Sequence, residues 1–256
     1  MRRERAPSGK NMSVLNGINA VAETIKASPE RIERICIERG QKNPRIQEIV
    51  ELARQSHIRI SFEDRSWLDR KSEGARHQGI LCFVAEVPTL DTEDILARAK
   101  SPGLLVILDG IEDPHNLGAI LRSAEAAGAD GVFLPEHRSS ALSATVVKTS
   151  AGAASHIKLA RVTNIAQLVE SLKKKGYWVA GLDATGSSSI WEIDLTAPTA
   201  LILGNEGSGL HRLVREKCDF VVSLPIRGAV SSYNVSVAAG IALYETLRQR
   251  TLKAIK

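Results

Sequence analysis

Aromatic residues make up only 4% of this 256-residue chain, too few for the rows of stacked rings on which sequence-tolerant single-strand binders lay successive bases. The three cysteines, Cys36, Cys82 and Cys218, stand far apart with no Cys-x-x-Cys spacing. An odd, dispersed set argues against a disulfide framework and for a reducing compartment. The six histidines are equally scattered, so neither residue type offers metal-ligand spacing and no metal is expected. No apolar run approaches the roughly 20 residues of a membrane helix; the longest, at 104–108 and 235–244, are short or broken by small and polar residues. Met1-Arg-Arg-Glu-Arg5 leads into no apolar stretch, so the chain reads as lacking a secretory signal and as cytoplasmic. A Gly-Lys-Ser/Thr triplet is missing too, which disfavours the P-loop nucleoside triphosphatases.

What is present is ordinary globular composition with an uneven charge. The formal net charge is +5, but residues 1–10 carry +3 and residues 248–256 carry +4, leaving −2 for everything between. Basicity at the two ends reads either as polyanion-binding arms or as solvated termini. The length suits two domains. After a basic tail over 1–12, residues 13–87 alternate helix (16–27, from 44, around Trp67) with strand (32–38, 58–61, 79–87), as a small α/β domain does. Residues 88–101, with a charged helix at 91–100 between Pro88 and Pro102, read as a linker. In residues 102–256, strands are expected at 104–108, 131–134, 156–159, 177–182, 200–203 and 220–224. Helices are expected at 116–127, 141–150, 164–174, 210–217 and 234–250. Near-continuous apolar strands alternating with helices predict a mostly parallel sheet covered on both faces.

Three strand-to-helix junctions carry the chemistry. The first is Asp113-Pro-His-Asn-Leu-Gly118, leading into a helix with Arg122; the second is Leu203-Gly-Asn-Glu-Gly-Ser-Gly209; the third runs from Leu224-Pro-Ile226 to Ser232-Tyr-Asn234. A dinucleotide fingerprint needs Gly-x-Gly-x-x-Gly after the first strand of its unit. Here the glycines fall at 204, 207 and 209, late in the domain, and Glu206 would repel a pyrophosphate. A nicotinamide-dependent oxidoreductase is disfavoured on both counts.

These three segments, in this order and with these separations, resemble the motifs of the SPOUT-class RNA ribose 2'-O-methyltransferases. The N-terminal stretches Asn16-Gly-Ile-Asn-Ala-Val21 and Gly74-Ala-Arg-His-Gln-Gly-Ile80 resemble the substrate-binding domain of the branch that methylates a guanosine ribose in bacterial large-subunit rRNA. The resemblance covers nearly the whole chain. It implies an α/β fold with a trefoil-knotted C-terminal domain, an RNA-binding N-terminal domain, a homodimer, and S-adenosylmethionine as methyl donor. By carry-over, Gly204, Asn205, Leu224, Ile226 and Tyr233 line the cofactor pocket; the catalytic set is Arg122 with Asn116, Glu206, Ser232 and Asn234. The family commonly has Leu where this chain has Tyr233, which places a larger ring at the pocket wall.

Physical chemistry divides some of these roles. Arg122 is either a general base or a charge that orients the substrate through a phosphate; deprotonating a free guanidinium at pH 7 costs about 9 kcal/mol, which makes the phosphate role the cheaper one. Leu224 and Ile226 serve either as adenine walls or as ordinary core. Ser232 and Asn234 serve the ribose hydroxyl or cap the following helix. Trp67, Trp178 and Trp191 read as core or interface anchors, His115 as an exposed loop residue, and Lys173 to Lys175 as cations suited to a helix C-terminus. A tRNA or other rRNA ribose methyltransferase, and a non-catalytic ribosome-assembly factor of the same fold, stand as alternatives. Arg122, Glu206, Ser232 and Asn234 present together favour the enzyme over the pure binder.

Overall fold

The structure, a computed structural model, describes residues 12–85, 87–137, 142 and 144–255. The basic tail expected over residues 1–12 therefore lies, apart from Met12, outside the described residues, as does Lys256. Two compact units divide between Val87 and Pro88, with Leu142–Lys148 belonging to the first.

The first unit comprises β1 (Met12–Asn16), α1 (Ile18–Ala27), β2 (Ile32–Glu38), α2 (Pro44–Gln55), β3 (Arg59–Glu63), α3 (Arg65–Lys71) and β4 (Ile80–Ala85). The strand order is β1-β4-β2-β3, with β4 antiparallel to both neighbours and β2 parallel to β3. Helix α1 buries Ile18, Val21 and Ile25, and α2 buries Ile46, Ile49 and Ala53, each set at the spacing of one helical stripe. Both stripes pack on Ile35, Ile37, Ile80 and Cys82. On the other face Leu68, Cys36 and Leu81 cluster with half-buried Trp67 and Phe83. Arg34 lies over both rings, 5.7 Å and 4.6 Å from their centroids, so Trp67 is a core-edge residue. Strand β1 falls between the tail read over 1–12 and the helix read from 16, where no strand was expected, and it pairs with β4 from Met12↔Ala85 to Asn16↔Leu81. The helix read from residue 16 accordingly starts at Ile18, after Gly17 at φ 92.

The second unit runs α4 (Thr92–Ala97), β5 (Leu104–Asp109), α5 (Pro114–Ala126), β6 (Gly131–Pro135), α6 (Ala144–Thr149, grouped almost wholly with the first unit), β7 (Leu159–Val162), α7 (Ile165–Lys174), β8 (Trp178–Leu182), β9 (Ser188–Ser189), β10 (Thr199–Gly204), α8 (Arg212–Lys217), β11 (Phe220–Ser223) and α9 (Val235–Ile255). Its seven-stranded sheet has the order β7-β6-β5-β10-β8-β11-β9, and every pairing is parallel. Strands β5 and β10 are buried along their whole length, which is why they read as unbroken apolar runs. Leu105, Ile107, Ala200 and Ile202 meet Ile95 of α4, Leu168, Val169 and Leu172 of α7 and Val214 of α8 in one core.

Several expectations change. Residues 88–101, read as a linker, are packed: Ile95 is fully buried and the Leu90 amide donates to Leu159 O at 2.7 Å. The strand expected at 156–159 is instead β7, because residues 153–157 hold a tight turn in which the His156 and Ile157 amides both donate to Ala153 O at 3.0 Å. Trp178 and Trp191 are about half exposed rather than core, at 50% and 56%. Of the small residues along one stripe of α9, Val235, Ala239, Ala242 and Leu243 are buried within their own unit and Ala238 is half-buried, where α9 packs on α5; the apolar residues of α9 left exposed are Val237, Ile241, Tyr244, Leu247, Leu252 and Ile255.

The C-terminal basic arm is likewise built into the fold. Arg250 donates to the carbonyls of Pro102, Gly103, Leu195 and Ala197 at 2.8–3.1 Å. Arg248 pairs with Glu245 at 2.8 Å, and Lys253 donates to Thr196 Oγ1 at 2.9 Å. Lys173 and Lys175, at the end of α7, pair with Asp219 and Glu93. Among the described residues no helix is long and apolar enough to cross a membrane, and no three His, Cys, Asp or Glu side chains gather as a metal site.

Candidate active site

Parallel strands that end in register release their loops along one edge, and in open α/β sheets ligands bind there, beyond the strand C-termini. Gly204 of β10 pairs with Asp109 of β5, while Leu182 of β8 pairs with Leu203 of β10 and Val222 of β11. The three loops singled out in the sequence, together with the loop after β8, therefore open on the same edge.

The second loop is closed on itself by the Asn205 amide donating to Gly209 O and the Gly209 amide to Asn205 O, at 3.0 and 2.9 Å. Asn205 also donates through Nδ2 to Gly110 O at 3.0 Å and accepts at Oδ1 from the Gly207 amide at 2.9 Å. At Gly204 a Cβ would overlap the Gly209 backbone and lie 2.5 Å from Leu210 N, so this position requires glycine. The loop is pinned at its far end by Asp109, only 4% exposed. Its two carboxylate oxygens accept from the His211 amide and face His211 Nδ1, each at 2.8 Å.

One residue from each of the three loops joins a polar cluster. Asn116 and Asn234 both donate through Nδ2 to Glu206 Oε1 at 2.7 Å, and Asn234 Nδ2 also lies 3.0 Å from Asn116 Oδ1. The other face of the Asn234 amide caps α9: its Oδ1 accepts from the Ser236 amide at 3.0 Å and the Ser236 hydroxyl at 2.6 Å. Helix α5 is capped in the same manner by Asp113, which accepts from the His115 amide, with Pro114 at the first helical position. Asn234 thus both caps and bridges.

Beside this cluster lies a cavity of about 740 Å³, within the roughly 300–1,000 Å³ of ordinary small-molecule sites. Gly204, Asn205, Glu206, Leu224, Ile226, Ser232 and Tyr233 all line it. Leu224 and Ile226 are half-buried, as pocket walls are, rather than core. Tyr233 is 40% exposed, its hydroxyl 3.4 Å from Pro225 O. Arg122 sits apart: it is exposed on α5, lies outside the cavity lining, and has no hydrogen bond or ion pair among the described residues. His115 is exposed as read.

Residues that the sequence did not single out complete the wall. Leu182, Asp183, Thr185 and Arg215 line the cavity. Burial pushes the Asp183 carboxyl upward, but bonds from the Thr185 hydroxyl and amide, the Arg215 charge and the Leu210 amide outweigh it and hold the group below the usual carboxylate range. The signal for Asp183 was its place just past an apolar strand. For the pairing of Asp109 with His211, 102 residues apart, no local pattern exists.

Comparison with known proteins places this geometry among relatives. Residues 103–244 match the sequence model of the SpoU rRNA Methylase family, and residues 14–90 match that of RNA 2'-O ribose methyltransferase substrate binding. The chain is 43% identical over 244 residues to the 23S rRNA (guanosine-2'-O-)-methyltransferase RlmB of Neisseria meningitidis serogroup B, covering 95% of this chain and 98% of that one. With the protein of the same description from Pseudomonas aeruginosa the identity is 44% over 238 residues, covering 92% and 96%. In structure the chain is similar to the SpoU methyltransferase AviRb from Streptomyces viridochromogenes, crystallised with the cofactor AdoMet. The TM-score is 0.63 at 24% identity, with 94% of this chain and 91% of that one covered.

Proposed function

The chain belongs to the SpoU rRNA methylase family, and from that premise we propose that it transfers a methyl group from S-adenosylmethionine to the ribose 2'-hydroxyl of a guanosine in 23S rRNA. Its catalytic unit has the knotted SPOUT fold. The observation that carries the reading is the meeting of Asn116, Glu206 and Asn234, one from each motif loop, at the rim of a cavity. The same cavity fits the cofactor: Glu206 in its wall suits a cationic sulfonium and opposes a pyrophosphate. Gly204 lets backbone approach a ligand closely.

When bound, the cofactor supplies an electrophilic methyl carbon. Holding it falls to the backbone around Gly204 and Asn205 and to the apolar side chains of Leu224, Ile226 and Tyr233. Glu206, fixed by two amide donors on one oxygen, keeps the second loop in place beside the acceptor. Ser232, in the cavity wall, bonds the ribose hydroxyl, whose proton passes to solvent as the oxygen–methyl bond forms and the methyl–sulfur bond breaks, and Arg122 grips the neighbouring phosphate with both arms of its guanidinium. Such orientation is the main service an enzyme can render when the donor carries its own leaving group. Calorimetry should therefore give binding of S-adenosylmethionine and of its demethylated product, with no measurable heat for NAD or ATP; tighter binding of NAD would overturn the reading.

The working form in this account is a homodimer, acting in the cytoplasm where ribosomal RNA is processed. Val237, Ile241 and Tyr244, at 48%, 39% and 68% exposure, fall at helical spacing on α9 and leave an apolar stripe bare to solvent. Ile241→Asp combined with Tyr244→Asp is expected to convert a dimer into monomers in analytical ultracentrifugation and to cost most of the activity. A wild-type protein that sediments as a monomer at micromolar concentration while fully active would exclude this.

A further inference from the structure

The first unit holds a polar cleft built from the two N-terminal stretches that the catalytic reading leaves unused. The Gly17 amide donates to Ile80 O at 3.3 Å and the Ile18 amide to Gln78 Oε1 at 3.1 Å, which brings residues 16–21 against the loop at 73–79. That loop is tightly specified. Glu73, Gly74, Gln78 and Gly79 all have positive φ, from 50 to 84, and His77, 6% exposed, is bonded through both ring nitrogens. Its Nδ1 accepts from the Gly79 amide at 3.0 Å, so the ring proton is on Nε2, facing Asp69 Oδ1 at 2.9 Å.

Between this loop and the turn after β2 opens a recess of about 580 Å³. Its floor is Gly79 against Gln41; a Cβ on Gly79 would collide with Gln41 Nε2. Glu38 and Asn43 add further carboxylate and amide groups, and Ile18 and Ala75 are the apolar contributors among its lining residues. Arg76 lies in the wall and Lys42 is exposed between two wall residues; neither side chain has an ion pair or hydrogen bond among the described residues.

We propose that this cleft holds one unpaired nucleotide of the RNA substrate, its base on the Gln41 floor and its phosphates along Arg76 and Lys42. The proposal rests on the reading of the chain as an RNA methyltransferase. The recess is too polar to anchor an apolar side chain of a protein partner and larger than a lone phosphate needs. Amide and carboxylate edges in a pocket with free cations at its rim are what a splayed-out loop base requires, since structured RNA is read chiefly through such bases.

The test uses the full-length protein and a 23S rRNA transcript, with RNA affinity measured by filter binding across salt concentrations and S-adenosylhomocysteine affinity by calorimetry. Lys42→Ala combined with Arg76→Ala should weaken RNA binding about tenfold or more and flatten the salt slope by roughly 0.7 per cation removed, with cofactor affinity unchanged. Gln41→Glu keeps the oxygen that accepts from the Lys42 and Asn43 amides and so preserves the turn. It should weaken RNA binding by about tenfold without flattening the slope, as loss of a base contact does. Arg59→Ala, an exposed cation on β3, is the control and should change neither quantity. Unchanged affinity in the double variant, or a larger loss in Arg59→Ala, would overturn the proposal by moving the RNA to another face. Loss in the double variant with none in Gln41→Glu would overturn the base pocket. A wild-type protein that binds the transcript but methylates nothing would instead count against the enzymatic reading, while the binding comparison still decides the cleft.

Discussion

Gly204→Ala is expected to leave the protein without measurable affinity for S-adenosylmethionine. The added methyl group would stand inside the Gly209 backbone and 2.5 Å from Leu210 N, and neither can yield without opening the loop that Asn205 and Gly209 close. Overpacking against backbone costs about 1–3 kcal/mol or more, and a displaced loop loses the cavity wall as well, so calorimetry should show at least a roughly hundredfold loss. Gly207→Ala supplies the contrast. A Cβ there meets only Asn205 Oδ1 at 3.6 Å, an ordinary contact, and cofactor binding should survive. Wild-type affinity in Gly204→Ala would show that the second loop does not hold the cofactor.

Arg122→Lys should separate turnover from cofactor binding. Lysine keeps the charge but loses the planar, two-armed geometry for a phosphate, and small misplacements of a reacting group can cost about a hundredfold in rate. Turnover on 23S rRNA is therefore expected to fall by about a hundredfold or more. Affinity for S-adenosylhomocysteine should stay near wild type, because Arg122 lies outside the cavity lining. If cofactor affinity falls in step with turnover, Arg122 belongs to the cofactor site. If the lysine enzyme turns over normally, a point charge suffices and the two-armed grip is not needed.

How much of this was legible in the sequence depends on where the determining contacts lie. The buried strands β5 and β10 announce themselves because every residue faces apolar surroundings, and α1, α2 and α7 because their buried residues repeat at helical spacing. The three loops were visible from composition alone. Strand β1 was not, since Met12-Ser-Val-Leu-Asn16 carries little alternation and is held by its pairing with β4, more than 60 residues away. The C-terminal cations read as an arm because nothing in residues 248–256 reveals that four carbonyls from 102–197 wait for Arg250. At the site, the cluster residues could be named from the motifs, but not their bonding. Asn116 and Glu206 are 90 residues apart, Asn116 and Asn234 are 118 apart, and only the register of the parallel sheet brings them together. That register also leaves Arg122 outside the cluster it was grouped with, on the exposed side of α5.

The central claim, that this chain methylates a guanosine ribose of 23S rRNA, is tested most directly by chemistry on the product. The purified protein is incubated with methyl-labelled S-adenosylmethionine and 23S rRNA from cells lacking the enzyme, and the RNA is digested to nucleosides and analysed by mass spectrometry. The account predicts label in 2'-O-methylguanosine and in no other nucleoside, with none when tRNA replaces the 23S rRNA. Label in a base, label only in tRNA, or an unmodified transcript under conditions where the cofactor is bound would contradict it.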